Sequence, residues 1–237
     1  VTRAIVVKAS EWIDNNAWVL DLIEKEPLVG GVVGRLEPGA PSFAPGLERF
    51  AANPRFRGIR VAGRDVARLI DPGVRKDLEA LAGRGLSLDV NGDVASLPTV
   101  AALARGLPAL RVIVNHVANV TIDGKAPPAA WLAGMDAAAS APNVWCKVSG
   151  LVEGTGMRGG RAPADTAFYR PVLDAVWERF GEERVVYGSN WPVSEVFAPF
   201  ATVQQIVQQY VRALGPRAER RYFGDNARAA YQGDTHL

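Results

Sequence analysis

Residues 111–116 read RVIVNH: three β-branched residues, Val112 to Val114, that run directly into Asn115 and His116. A run this short and this rich in Val and Ile suits a strand buried on both faces, and the two polar residues fall at its carboxyl end. Six further runs have the same form. They are Arg3 to Ala9, Val29 to Leu36, Phe56 to Val61, Leu86 to Asn91, Val144 to Gly150 and Arg184 to Asn190. Between them lie segments of helical period: Asn16 to Glu26, Pro72 to Arg84, Leu97 to Leu107, Ala129 to Ala141, Phe168 to Phe180 and Val203 to Leu214. Glycines at 83, 85, 106, 181 and 215 close several of these segments, as helix C-termini commonly do.

Strands alternating with helices predict an α/β protein with a parallel sheet. Polar residues gather at the strand ends: Lys8 and Ser10, Arg35 and Glu37, Arg60, Asp89 and Asn91, Asn115 and His116, Lys147 and Ser149, Ser189 and Asn190. In a TIM-type (β/α) barrel these ends converge on one mouth, which is where such proteins place their chemistry. A doubly wound open sheet is the competing fold, because it also carries its ligands at carboxyl strand ends. The Gly/Pro-rich pieces Pro38 to Pro45, Thr121 to Pro128 and Glu153 to Pro163 follow strands and read as substrate loops, and the glycine-rich run Gly154 to Gly160 reads as a mobile lid.

The 237 residues, 48% of them hydrophobic, predict one domain over 1–237. Lys and Arg number 27 against 25 Asp and Glu and are scattered, so the sequence offers no basic stripe for nucleic acid or an anionic membrane. A small-molecule partner is expected. The one cysteine, Cys146, lies in an apolar run, which excludes a disulfide framework and fits a reducing, cytoplasmic setting. On a strand it faces away from Trp145 and Lys147 and reads as a small buried hydrophobe. No stretch is apolar enough to span a bilayer, and no signal peptide is recognisable.

The strings FRGIRV, PALRVIVNH, PNVWCKVSGL, FGEERVVYGSNWPV and YFGDNARAAY together resemble the amidohydrolase-2 family of metal-dependent barrel hydrolases, over nearly the whole chain. The resemblance implies a lactonase-like hydrolase that opens a small polar lactone of the sugar-lactone or pyrone-dicarboxylate type. A metabolite-binding barrel with impaired catalysis and a decarboxylase of a related family are the alternatives. The family's first strand carries Asp-x-His-x-His, whereas this sequence starts at what matches the second strand, so the barrel is expected to have its first strand absent from its usual position. The tail Gly233 to Leu237 resembles the start of that strand and is a candidate to fill the place, bringing His236 towards His116; a bystander terminus is the alternative. Unfilled strand edges would favour association, which leaves a homo-oligomer open.

His116 matches the family's active-site histidine and suits carbonyl polarisation or metal binding; a core histidine is the alternative. Asn190, in GSNWPV, stands where much of the family has aspartate. An amide cannot take a proton from water, so either another group serves as base, or Asn190 orients substrate or water, or hydrolysis is lost; an Asn that caps the following turn is the alternative. Lys147 and Arg60 are cations suited to a carboxylate or an oxyanion. With His116 and Asn190, Lys147 makes up the expected catalytic set; Arg60, Asp89, Ser149 and Trp191 make up the expected substrate-binding set. Asp89 and Glu37 are candidate replacement carboxylates, although a structural salt bridge is the plainer reading of each. As metal ligands the sequence offers His116 and His236, too few for tight zinc or manganese, so the expected cofactor is none or a weakly bound divalent metal.

Overall fold

All seven predicted strands form, and they pair in the order in which they occur. The computed structural model describes residues 3–7, 10 and 12–231. The strands are β1 (Ala4–Val7), β2 (Val29–Gly34), β3 (Phe56–Ala62), β4 (Ser87–Asn91), β5 (Arg111–Val114), β6 (Val144–Val148) and β7 (Val185–Tyr187). Every neighbouring pair is parallel, in the order β1-β2-β3-β4-β5-β6-β7. A doubly wound sheet reverses its strand order at a switch point, and this sheet has no reversal. Lys8, Ala9 and the tail with His236, expected to take the place of the first strand, lie outside the described residues.

The helices are α1 (Asn15–Ile23), α2 (Phe43–Ala51), α3 (Pro72–Gly83), α4 (Leu97–Gly106), α5 (Ala129–Ala139), α6 (Leu151–Gly154), α7 (Thr166–Phe180), α8 (Phe200–Leu214), α9 (Pro216–Arg220) and α10 (Asn226–Tyr231). The six predicted helical segments all form. Helix α2 is a departure from the loop expected at Pro38 to Pro45. Pro45 sits in its first turn, where no backbone N–H is required, so the residue that suggested a loop is compatible with a helix start. Phe43, Leu47 and Phe50 then follow at helical spacing and are all buried.

Strand alternation separates two cores. Val32, Ile59, Leu88, Val112, Cys146 and Val185 point outwards into the layer between sheet and helices. Val33, Ile113 and Val186 point the other way and meet each other together with Ile5, Val7 and Trp145, which is possible only because the sheet curls. Ala230 and Tyr231 of α10 join this inner core. Helix α10 is anchored from two sides: Arg111, first residue of β5, donates Nε–H to the Ala230 carbonyl at 2.9 Å, and Asn226 Nδ2 donates to the carbonyls of Glu182 and Val185 at 2.7 and 2.8 Å. The end of the closing YFGDNARAAY string, Ala230 and Tyr231, therefore forms the floor of the curled sheet, while Tyr222 and Phe223 pack in the outer layer.

Register fixes who meets whom inside. Arg60 pairs with Asp89, Asp89 with Ile113 and Ile113 with Trp145, so these four side chains share one inward level across β3 to β6. Gly58 lies one level lower, facing Ser87; a Cβ there would stand 2.2 Å from Ser87 Oγ and 2.4 Å from the Ser87 carbonyl oxygen. The backbone oxygen cannot give way without parting β3 from β4. Gly58→Ala is expected to destabilise the fold by on the order of 3 kcal/mol, read as a lowered urea midpoint at unchanged m-value.

Candidate active site

The strand ends bring together His116, Lys147, Arg60, Asp89 and Ser149. Lys147 is 5% exposed and Asp89 is fully buried; Lys147 Nζ lies 2.5 Å from Asp89 Oδ2. The same carboxylate oxygen accepts from Asn115 Nδ2 at 2.9 Å and from the Tyr231 hydroxyl at 3.0 Å. Burial, and then the Asp89 charge, raise the Tyr231 pKa, so its phenol keeps the proton that it donates. The Tyr231 ring also lies beneath the ammonium, 5.4 Å from Nζ to the ring centroid. A cation is thus held from below, with its counter-ion fixed by two further donors.

His116 is held above this pair. Its Nδ1 is 2.8 Å from Ser149 Oγ, and its Nε2 is 3.4 Å from Arg60 Nη2. A guanidinium can only donate, so Nε2 presents a lone pair to Arg60 and Nδ1 carries the hydrogen that goes to Ser149. Burial is the main reason that the imidazole pKa falls to about 3, with Lys147 and Arg60 adding to the effect. His116 is accordingly neutral at physiological pH. Arg60 is itself pulled below its ordinary pKa by burial, against the pull of Asp89, and remains a cation.

The backbone around His116 is strained. His116, Val117, Ala118 and Asn119 have φ of 53°, 46°, 55° and 47°, four consecutive residues in the left-handed region that L-residues avoid. Strain of this kind collects at functional sites and needs compensating contacts. They are present: Trp131 Nε1 donates to the Val117 carbonyl at 2.8 Å, and Asn119 Nδ2 donates to Gly92 O at 2.8 Å and to Asn91 Oδ1 at 3.1 Å. Gly150, at φ +66°, completes the fit, because a Cβ there would stand 2.9 Å from His116 Cβ.

The other expected residues lie around the rim. Asn190, at φ +53°, donates from Nδ2 to Glu153 Oε1 at 2.7 Å. Trp191 is 62% exposed. Glu37 faces Arg68 at 3.7 Å with both side chains about half exposed, the surface ion pair that was its plainer reading. The Gly-rich stretch read as a lid is tied down, with Gly159 N–H donating to Val196 O at 2.7 Å and Ala162 N–H to Phe197 O at 3.2 Å. Three residues of the site escaped the sequence reading: Asn115 and Tyr231 as donors to Asp89, and Glu153 as the partner of Asn190. Glu153 stood in the sequence four residues after Ser149, within one helical turn of a strand end, which was the signal available.

The described residues do not suit a resident metal. The Nε2 lone pair of His116 faces a guanidinium, Asp89 Oδ2 is taken by three donors, and no group of three or more His, Cys, Asp or Glu side chains comes together among the described residues. A cationic pair, Lys147 and Arg60, occupies the place of electropositive charge at the mouth.

A curled parallel sheet with helices on its outer face and charged and polar groups at its carboxyl ends defines a (β/α)-barrel protein, a class whose chemistry is generally found at that end. The chain belongs to the amidohydrolase family, whose model, described as Amidohydrolase, matches residues 1–233. It is 32% identical to an L-fucono-1,5-lactonase of Burkholderia ambifaria, over 100% of this chain and 83% of that protein. An amidohydrolase of Burkholderia multivorans with bound HEPES superposes with a TM-score of 0.90 at 25% identity, over 99% of this chain and 84% of that one. A structure of the Burkholderia multivorans amidohydrolase with bound zinc gives 0.85 at 26% identity, with the same coverage. Among the described residues no helix is long and apolar enough to cross a membrane.

Proposed function

We propose that this amidohydrolase opens a small, polar lactone, with a sugar lactone as the substrate class. The observation that carries the reading is the 32% identity to an L-fucono-1,5-lactonase along the full chain, combined with a mouth whose groups suit ester chemistry. Lactone hydrolysis requires a carbonyl to be polarised and the developing oxyanion to be stabilised by donors already in place. Arg60 and Lys147 supply those donors; Asp89 acts through Lys147 by holding it in position. Neutral His116, locked by Ser149, presents its Nε2 lone pair to Arg60 and so holds that guanidinium towards the substrate carbonyl. Trp191 walls the rim, and Asn190 orients the polar ring. The reading includes no tightly held metal, at most a weakly bound divalent ion, and a cytoplasmic setting consistent with the buried free thiol of Cys146.

The test is a pH-indicator assay with a panel of aldono-lactones, run on protein dialysed against chelator. Turnover of at least one six-membered sugar lactone, well above its spontaneous hydrolysis, is expected. The amide at Asn190 favours a second reading, a barrel that binds the lactone without opening it. Saturable binding by calorimetry with no turnover across the panel would establish that reading in place of the first.

A further inference from the structure

The lactone reading leaves one chemical need unmet, a group to take the proton from water, since the Asn190 amide cannot. The carboxylates near the mouth differ sharply in how far they are committed. Asp89 has one oxygen saturated by Lys147, Asn115 and Tyr231, and its charge is neutralised at 2.5 Å, although its Oδ1 is buried with no hydrogen-bond partner. Glu37 and Asp65 face Arg68 and Arg35. Glu195 lies beyond Asn190 and caps α8 by accepting from Phe200 N–H at 3.2 Å. Glu153 differs from these paired carboxylates in forming no salt bridge among the described residues. Its Oε1 accepts one hydrogen bond, from Asn190 Nδ2 at 2.7 Å, and its Oε2 is buried with no hydrogen-bond partner. Leaving a buried carboxylate oxygen unmatched is costly, and native structures seldom tolerate it without a purpose.

The geometry points to Glu153 as the general base of the hydrolysis, with Asn190 as the residue that holds it. This assignment rests on the lactone reading. Helix α6 starts directly after β6, so Glu153 follows Lys147 and Ser149 on one rigid connection and reaches the rim beside the end of β7. The Asn190 amide, just past the end of β7, donates to the Glu153 carboxylate next door, which puts the acid–base function on α6 without leaving the mouth. The bond also orients the amide, with Nδ2 towards Glu153 and Oδ1 free to accept from water.

The step balances without a co-reactant. Water, held between Asn190 Oδ1 and the Glu153 carboxylate, gives one proton to Glu153 as its oxygen bonds to the lactone carbonyl carbon. The carbonyl electron pair moves onto the oxygen facing Arg60 and Lys147. Collapse of this tetrahedral species breaks the ring C–O bond, and Glu153 returns its proton to the departing ring oxygen. The product is the open hydroxy acid, which releases a proton to solution above its own pKa.

Burial raises the Glu153 pKa above that of an ordinary carboxylate, opposed by hydrogen bonds from its own backbone and from Asn190, and a raised pKa makes it a better base near neutrality. The groups that face it are Tyr169 of α7, whose phenol is pushed up by burial and by the Glu153 charge and stays protonated, and uncharged Asn190. His116 packs on Gly150 one turn earlier and is neutral above about pH 3. An acid limb in the rate profile therefore belongs to Glu153.

The experiment compares kcat, KM and the pH profile of the full chain with those of Glu153→Gln on the lactone that the wild type turns over. Expected are a fall in kcat of roughly 10²- to 10⁴-fold, KM within a few-fold, and loss of the acid limb. The exchanged pair Glu153→Gln with Asn190→Asp keeps an amide-to-carboxylate bond and puts the carboxylate just past β7; it is expected to recover at least tenfold of the lost kcat. If Glu153→Gln melts early, Glu153→Asp replaces it, with kcat expected to fall at least tenfold while the acid limb remains. Wild-type turnover that survives these changes overturns the assignment of Glu153 and leaves the lactone reading standing. No wild-type turnover on any lactone overturns both.

Discussion

Replacing Lys147 by Met is expected to cost the fold about 3–5 kcal/mol, the usual penalty for removing one partner of a buried ion pair. Asp89 would keep its hydrogen bonds from Asn115 and Tyr231 but would hold a fully buried charge without its direct ion-pair partner, Arg60 being the cation left near it. A chain of this length should then melt on the order of 10 °C lower. The double variant Lys147→Met with Asp89→Leu should recover a good part of that loss, because both members of the Lys147–Asp89 pair are then gone, while remaining inactive. The contrast separates the structural role of the pair from its chemical one. A single variant that melts with the wild type would show that the pair is not buried as described.

The second large effect is on pH dependence. Folded His116 has a pKa of about 3 against 6.5 for a free imidazole, so between those values the unfolded chain binds a proton that the folded chain refuses. Stability therefore falls as pH drops from about 6.5 towards 3, by on the order of 4 kcal/mol in total; above about 6.5 the residue adds no slope. Carboxylates titrate in the same range, so the informative quantity is the difference from His116→Asn. Asparagine tolerates the left-handed backbone at this position, and its amide can donate to Ser149 in place of Nδ1–H. The variant should lose stability less steeply than the wild type between pH 6.5 and 4, measured by urea unfolding at each pH. Parallel curves would mean that His116 is solvated and titrates normally.

The strands were legible because their signal is local: RVIVNH and its six counterparts carry β-branched cores and polar carboxyl ends, and each became a strand or a strand with its mouth residue. Their parallel order followed from the intervening helices. Helix α2 was not legible, since Pro45 reads as a breaker until the chain's three-dimensional path puts it in a first turn. At the site, His116, Lys147, Arg60, Asp89 and Ser149 could be placed at one mouth from strand position alone. What joins them could not. The Lys147–Asp89 pair depends on the register between β4 and β6 across an intervening strand, and the Tyr231 bond to Asp89 spans 142 residues. The left-handed turn at 116–119 has no glycine to announce it, being held by Trp131 from outside and by the bonds of its own Asn119 to Asn91 and Gly92. The Asn190–Glu153 bond joins two segments that in the sequence are merely the last strand and a Gly-rich loop.

The most direct test of the account is steady-state hydrolysis of L-fucono-1,5-lactone by chelator-treated wild type, alongside Arg60→Met and His116→Asn variants shown to be folded. The account predicts turnover by the wild type without added metal and a loss of at least 100-fold in kcat/KM for Arg60→Met, since an oxyanion donor of this kind typically contributes about that much. Wild-type turnover that appears only when zinc or manganese is restored, or that persists undiminished in both variants, would contradict it.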